Sequence, residues 1–237
     1  MTMMATPVTT MPPTIPMAEV DARLWQLISP TLPIGAFTCS QGLEYAVEAG
    51  WVTDERAAQD WILGLATEVL CRLDLPLLAR MYRAWKGGSC EAALAWNERL
   101  LASRASRELL QEDLNLGEAL LRLLPELEIP VPEELRHGPT AYAMAFALAT
   151  ARSGVALRPV LAGYVWAWGE NQVAAAIKLV PLGQSAGQRI LLQLGHALDG
   201  LVERALGCED ADLGMTAPGL GIACARHETQ HTRLFRS

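Results

Sequence analysis

No uninterrupted apolar run in this 237-residue chain reaches the ~20 residues that a membrane-spanning helix needs. The stretches Gly138–Ala151 and Pro159–Gly169 are uncharged, but both fall short, so no membrane role is expected. Cations are sparse and dispersed. The 19 Lys and Arg stand against 26 Asp and Glu, a formal net charge of −7, which argues against nucleic acid, whose binding needs clustered cations to neutralise phosphates. The five cysteines (Cys39, Cys71, Cys90, Cys208, Cys224) never form C-x-x-C; they suit a reducing cytoplasm better than a disulfide framework. Sustained apolar–polar alternation is missing, and with it the mark of a half-buried strand. No G-x-x-x-x-G-K-[ST] occurs, so the chain is not expected to bind GTP itself. No basic residue precedes Arg23 and no continuous apolar core follows the start, so residues 1–17 are not expected to be a signal peptide. They are Thr/Pro/Met-rich and expected to form a mobile tail.

What the chain has is apolar bulk in helical register. Hydrophobic residues make up 51 % and the mean hydropathy is +0.19, enough for one well-buried domain with apolar surface left over for partners. Val20, Leu24, Leu27 and Ile28 form one face of a first helix that stops before Pro30. After Thr53, with Asp54 and Glu55 in the first turn, Trp61, Ile62, Leu65 and Val69 form the next stripe. Pro76 is placed to open a helix that Gly87-Gly88 ends. Ser89 can cap the following one, with Leu94 and Leu101 inward. A leucine-dense helix is expected from Arg104 to Leu124, then a four-proline hinge from Pro125 to Pro139. Three apolar helices follow, Thr140–Ser153, Pro159–Leu179 and Gln184–Leu206. Small residues such as Ala143, Ala145, Ala147 and Ala149 permit close helix approach. The expectation is an all-α, single-domain bundle of about eight to ten helices over residues 18–237.

Three segments stand out. Ser29–Val52, SPTLPIGAFTCSQGLEYAVEAGWV, sets helix-hostile residues (Ser29, Pro30, Pro33, Gly35) against a helical run closed by Gly50 and Trp51. Each proline fixes its own φ and pushes its predecessor out of the α region. The turn is therefore locked as well as apolar (Leu32, Pro33, Ile34, Phe37), and Gly35 suits a positive φ. Thr38 or Ser40 can cap a short helix carrying Gln41, Gly42, Glu44, Tyr45 and Glu48. The second segment, Lys178–Gln184, KLVPLGQ, breaks a helix at Pro181, Leu182 and Gly183 and restarts it at Gln184. The third, Arg226–Ser237, RHETQHTRLFRS, combines Arg226, Arg233 and Arg236 with Leu234 and Phe235, the apolar-plus-Arg mix favoured in interface anchors. A docking tail is expected over about residues 222–237, with Arg226, His227, Glu228, Gln230, Arg233, Leu234, Phe235 and Arg236 as contacts.

In this order and spacing the three segments resemble the signatures of the UreF family of urease accessory proteins. The resemblance implies an all-α, non-enzymatic assembly protein that assists nickel insertion into apo-urease. It also implies bridging of the GTPase UreG to UreD (also called UreH), and a homodimer within the accessory complex. The nickel and GTP chemistry would belong to the partners, with no cofactor held here. In relatives the loop equivalent to Lys178, Pro181, Leu182, Gly183 and Gln184 faces UreG, which gives Lys178 a contact role. Read without that resemblance, Lys178 is a solvated cation at a helix C-terminus.

Two constellations invite a chemical reading. His227-Glu228-Thr229-Gln230-His231 spells H-E-x-x-H, which on a helix would set two imidazoles on one face beside a base for bound water. No third ligand follows it, His137 and His196 are the only other histidines, and the family signature has an aromatic residue in place of His231. A small helical metal-binding enzyme built on this segment is the alternative to the docking tail. Glu44 and Glu48, four apart, read either as a general acid–base pair or as carboxylates that are solvated or bonded to a loop amide. Nothing here requires catalysis, and no catalytic residue is expected.

Overall fold

The structure, a computed structural model, describes the backbone of residues 17–237 and side-chain surroundings from residue 22. The expected N-terminal tail lies outside the described residues, apart from Met17, where the first helix begins. Ten α-helices and no strand occur among the described residues. Helix α1 spans Met17–Leu27 and buries Leu24 and Leu27. The short α2, Leu43–Glu48, follows the signature turn. Helix α3, Glu55–Leu65, is capped by the Asp54 carboxylate, which accepts from Ala57 N.

Pro76 was expected to open a separate helix. The path is instead continuous from α3 to α4, Leu75–Lys86, through a π-helical segment, Ala66–Asp74. Proline has no N–H to give the carbonyl of residue 72, and that carbonyl finds another donor. Gly214 N donates to Arg72 O at 3.2 Å and Thr216 N donates to Glu68 O at 3.2 Å. The loop before the last helix thus takes up bonds that the wide turn releases. Such π segments are concentrated at functional sites.

Helix α5, Cys90–Ala102, is capped by Ser89 as expected. Its inner face is Ala93, Asn97 and Leu100, with Leu94 and Leu101 flanking, a rotation of about one position from the sequence reading. Asn97 accounts for the shift, because its amide donates to Pro139 O and accepts from Ala141 N and so fixes the entry to α7. Helix α6 spans Arg107–Leu123, three residues later than expected, with Ser106 as its cap. The proline-rich stretch is packed rather than hinged. It holds two 3-10 turns, Leu124–Leu127 and Glu133–Leu135, and buries Ile129 and Leu135.

Helix α7, Tyr142–Arg152, is the axis of the bundle, with every residue from Ala143 to Ala151 buried. Its alanines let α4 and α6 close against it. Helices α8, Leu157–Leu179, and α9, Gln184–Leu206, pack on each other through the short connection at residues 180–183. Arg189 of α9 forks onto both oxygens of Glu55 at 2.7 Å, tying α9 to α3. Helix α10, Pro218–His227, packs on α2. No helix among the described residues is long and apolar enough to cross a membrane.

Candidate functional site: a turn clasped by the C-terminal segment

The signature turn has the conformation its residues demand. Gly35 sits at φ 84° with open space around it, so glycine is required there for backbone freedom alone. Gly42 sits at φ 79° and also meets α10 closely. A Cβ there would lie 3.1 Å from both Ala223 Cβ and Cys224 Sγ. Gln41 adopts φ 51°, the left-handed region for a residue with a side chain, and so stands outside the helix rather than in its first turn. Thr38 belongs to a separate 3-10 turn and donates to Gly35 O. Of the two proposed caps it is Ser40 that reaches α2, its Oγ accepting from Glu44 N at 3.3 Å.

The segment after α10 folds back onto this turn. Ser40 N, Gln41 N and Ser40 Oγ all donate to Ser237 O, and Arg236 N donates to Thr38 O at 2.9 Å. The Glu44 carboxylate, on the first turn of α2, accepts from Leu234 N at 2.6 Å and Phe235 N at 2.9 Å. His227 is fully buried between two carboxylates. Its Nε2 lies 3.2 Å from Glu44 Oε2 and its Nδ1 2.7 Å from Glu108 Oε2. Arg233 closes the ring of charges on Glu108. Deeper in, Gln41 donates to Glu112 Oε1 and accepts from the Trp168 indole, each at 2.7 Å, and Ser237 Oγ donates to Glu112 Oε2. Burial pushes the Glu112 carboxyl above its ordinary range against the pull of the Ser237 and Gln41 bonds. Burial, with Glu112 nearby, likewise raises the Cys39 thiol to about 11, and burial raises Cys224 to about 12. Both thiols are therefore protonated at neutral pH and poor nucleophiles.

This geometry decides between readings at three places. His227 and His231 do not share a helical face, because α10 ends at His227 and His231 is exposed beyond it. With both His227 nitrogens engaged, the H-E-x-x-H pattern has no metal geometry. Among the described residues no cluster of three or more His, Cys, Asp or Glu is placed to hold a metal. Glu44 and Glu48 are not an acid–base pair. Glu48 is exposed, while Glu44 binds loop amides, the quieter of the two readings. The C-terminal segment is also not a free docking arm. His227 and Phe235 are buried within the chain's own fold, which leaves Arg226, Glu228, Arg233, Leu234 and Arg236 as its exposed members and Gln230 half-buried.

The KLVPLGQ segment forms the exposed α8–α9 connection. Lys178 stands in the last turn of α8, Gly183 is the N-cap of α9, and Pro181 and Gln184 face solvent with Leu182 half-buried. Lys178 Nζ lies 5.5 Å from the centre of the Phe235 ring. Turn, tail and central loop are thus one contiguous patch. Sequence reasoning missed Glu108, Glu112 and Trp168, which hold it together. The available signal was an acidic pair inside an apolar stripe, since Glu112 and Asp113 fall in register with Leu109, Leu116 and Leu120.

Comparison with known proteins agrees with the motifs. A UreF family profile matches residues 52–195, a span that includes KLVPLGQ but neither most of the turn nor the tail. Curated relatives extend further. The urease accessory protein UreF of Alkalilimnicola ehrlichii is 47 % identical over 220 residues, covering 91 % of this chain and 95 % of its own. That of Chromohalobacter salexigens is 48 % identical over 217 residues, covering 91 % and 94 %. That of Teredinibacter turnerae is 42 % identical over 215 residues, covering 91 % and 97 %. The chain therefore belongs to the UreF family of urease accessory proteins, whose business is nickel insertion and the maturation of urease.

Proposed function

We propose that this chain acts in the cytoplasm as a bridge, joining the GTPase UreG to UreD (UreH) and through it to apo-urease, as a homodimer within the accessory complex. On this reading it modulates UreG, and the nickel and the nucleotide are handled by its partners. The observation that supports it best is the contiguous patch just described. The clasp orders a rigid platform, and exposed side chains of both kinds favoured at interfaces stand on it: Leu234 and Phe37, 65 % and 60 % exposed, and Arg236. The exposed Lys178–Gln184 connection lies alongside. A locked turn loses little entropy when a partner closes over it.

The test is co-purification with UreD and UreG. Deleting the tail would also dismantle the clasp, so exposed side chains are changed instead. Leu234→Ser with Arg236→Ala is expected to weaken UreD capture, and Lys178→Ala to weaken or miscouple UreG, with helicity and melting temperature retained. Undiminished capture of both partners by all three substitutions together would remove the patch from the bridging role.

A further inference from the structure

Between the signature turn, the π segment and α6 lies a partly enclosed cavity of about 110 Å³. Its lining is of two kinds. One is aliphatic, including Leu27, Leu32, Leu70 and Leu116. The other is ionic and unbalanced, with Asp74, Glu112, Asp113 and Glu170 around a single cation, Arg104. Arg104 bonds Asp74 Oδ1 at 2.7 Å and Asp113 Oδ2 at 2.6 Å, and Asp113 also accepts from Tyr142 N. The second Asp74 oxygen, Oδ2, is buried and has no donor among the described residues, and the same holds for Gln172 Oε1. Asp74 and Gln172 are 2 % and 1 % exposed, and both belong to the cavity lining. An unmatched buried carboxylate oxygen is costly, and a surplus of acids in one cavity asks for a cation. Burial accordingly pushes the Asp74, Glu112 and Glu170 carboxyls up.

We propose that this cavity is a binding site for an alkyl cation, an ammonium or guanidinium head on a short apolar stem, with the head against Asp74 and Gln172 and the stem among the leucines. The space holds several waters, which is enough for such a head and stem. Residues 1–16 contain no Lys, Arg or His, so that stretch offers no basic side chain. Two sources share the chemistry, a free small amine and a Lys or Arg side chain of a partner protein. The site does not depend on the bridging role.

The experiment titrates the full chain with n-butylammonium chloride by calorimetry, beside n-butanol and ammonium chloride. The expected result is saturable binding of n-butylammonium at least tenfold tighter than of either control. Two variants should each weaken it at least tenfold: Asp74→Asn, which removes the charge, and Leu32→Trp, which fills the aliphatic part without touching the ionic one. The second variant keeps the test decisive should the first fail to fold. Equal binding of n-butanol, unchanged affinity in folded variants, or no saturable binding at all would each overturn the proposal, the last leaving only waters in the cavity. The source is read separately. Loss of UreD or UreG from the complex at saturating n-butylammonium assigns the site to a partner's side chain, and retention of both assigns it to a free amine.

Discussion

Replacing Glu44 by Ala removes the partner of three groups at once: the donors Leu234 N and Phe235 N, and His227 Nε2. Leu234 is exposed and its N–H can turn to water, but Phe235 and His227 are buried. A buried polar group left unpaired costs about 1–3 kcal/mol, so two of them give roughly 3 kcal/mol. The clasp can relieve that cost only by opening, which frees Ser237 from Ser40 and Gln41. The loss should therefore be local before it is global. Native-state hydrogen exchange at Ser40, Gln41 and Phe235 is expected to quicken roughly 100-fold, taking about 1.4 kcal/mol per decade. Exchange in α7 should change far less. The melting temperature should fall by roughly 6–12 °C if the clasp unfolds together with the core, at about 2–4 °C per kcal/mol for a chain of this size. Glu48→Ala, one turn along the same helix and exposed, is the control and should stay within about 0.5 kcal/mol. Unchanged protection at Phe235 in Glu44→Ala would refute the claim that this carboxylate holds the tail. So would equal loss in α7.

The two histidines of the H-E-x-x-H pattern should separate cleanly: His227→Ala, which empties a fully buried position and takes one partner from each of Glu44 and Glu108, should cost about 3 kcal/mol in urea unfolding, and His231→Ala less than about 0.5 kcal/mol. The two turn glycines should also differ. Gly35→Ala meets only the left-handed penalty of about 1–2 kcal/mol, whereas Gly42→Ala adds a clash with α10 and should cost about 1–3 kcal/mol more in the same assay. Stability should depend on pH through Glu112, whose folded form holds its proton above the ordinary value of 4.5. Its contribution is fully present below that value and is lost as pH rises through the folded one. Urea midpoints measured upward from pH 4.5 should therefore fall less steeply in Glu112→Gln than in the unmodified chain.

The helical frame was legible because each boundary has a local cause. Ser89 caps where the sequence places it, Asp54 caps α3 one position before the first turn it was read into, Gly87-Gly88 ends α4, and Pro181-Leu182-Gly183 separates α8 from α9. The π segment was not legible, because nine residues of wider winding leave the apolar stripe through Leu65 and Val69 intact. What replaces the missing proline bond comes from Gly214, about 140 residues away in sequence. The candidate site was half legible. The locked turn and Gly35 could be read from proline and glycine chemistry. The clasp could not, because it joins residue 44 to 227, 234 and 235, and 40 to 237. Nothing in RHETQHTRLFRS distinguishes an arm that docks on a partner from one already docked on its own chain. Both need arginines, a leucine and an aromatic residue.

The clasp also changes how two partners on this patch would communicate. Lys178 meets the tail at the Phe235 ring, and a cation–π contact whose cation faces solvent contributes about 0.5–1 kcal/mol. A partner that takes Lys178 away from Phe235 would alter tail affinity through that contact by only two- to fivefold, and reciprocity gives the tail's partner the same small leverage over Lys178. Opening the clasp is a different matter. It exposes the buried His227, frees Glu44 and releases Ser237 from the turn, so the two arrangements differ by several bonded groups rather than one. Only that larger difference gives a partner enough differential affinity to shift the tail between states. On the bridging reading, strong coupling between two partners would therefore pass through Glu44 and His227, with Lys178 reporting the state of the clasp rather than setting it.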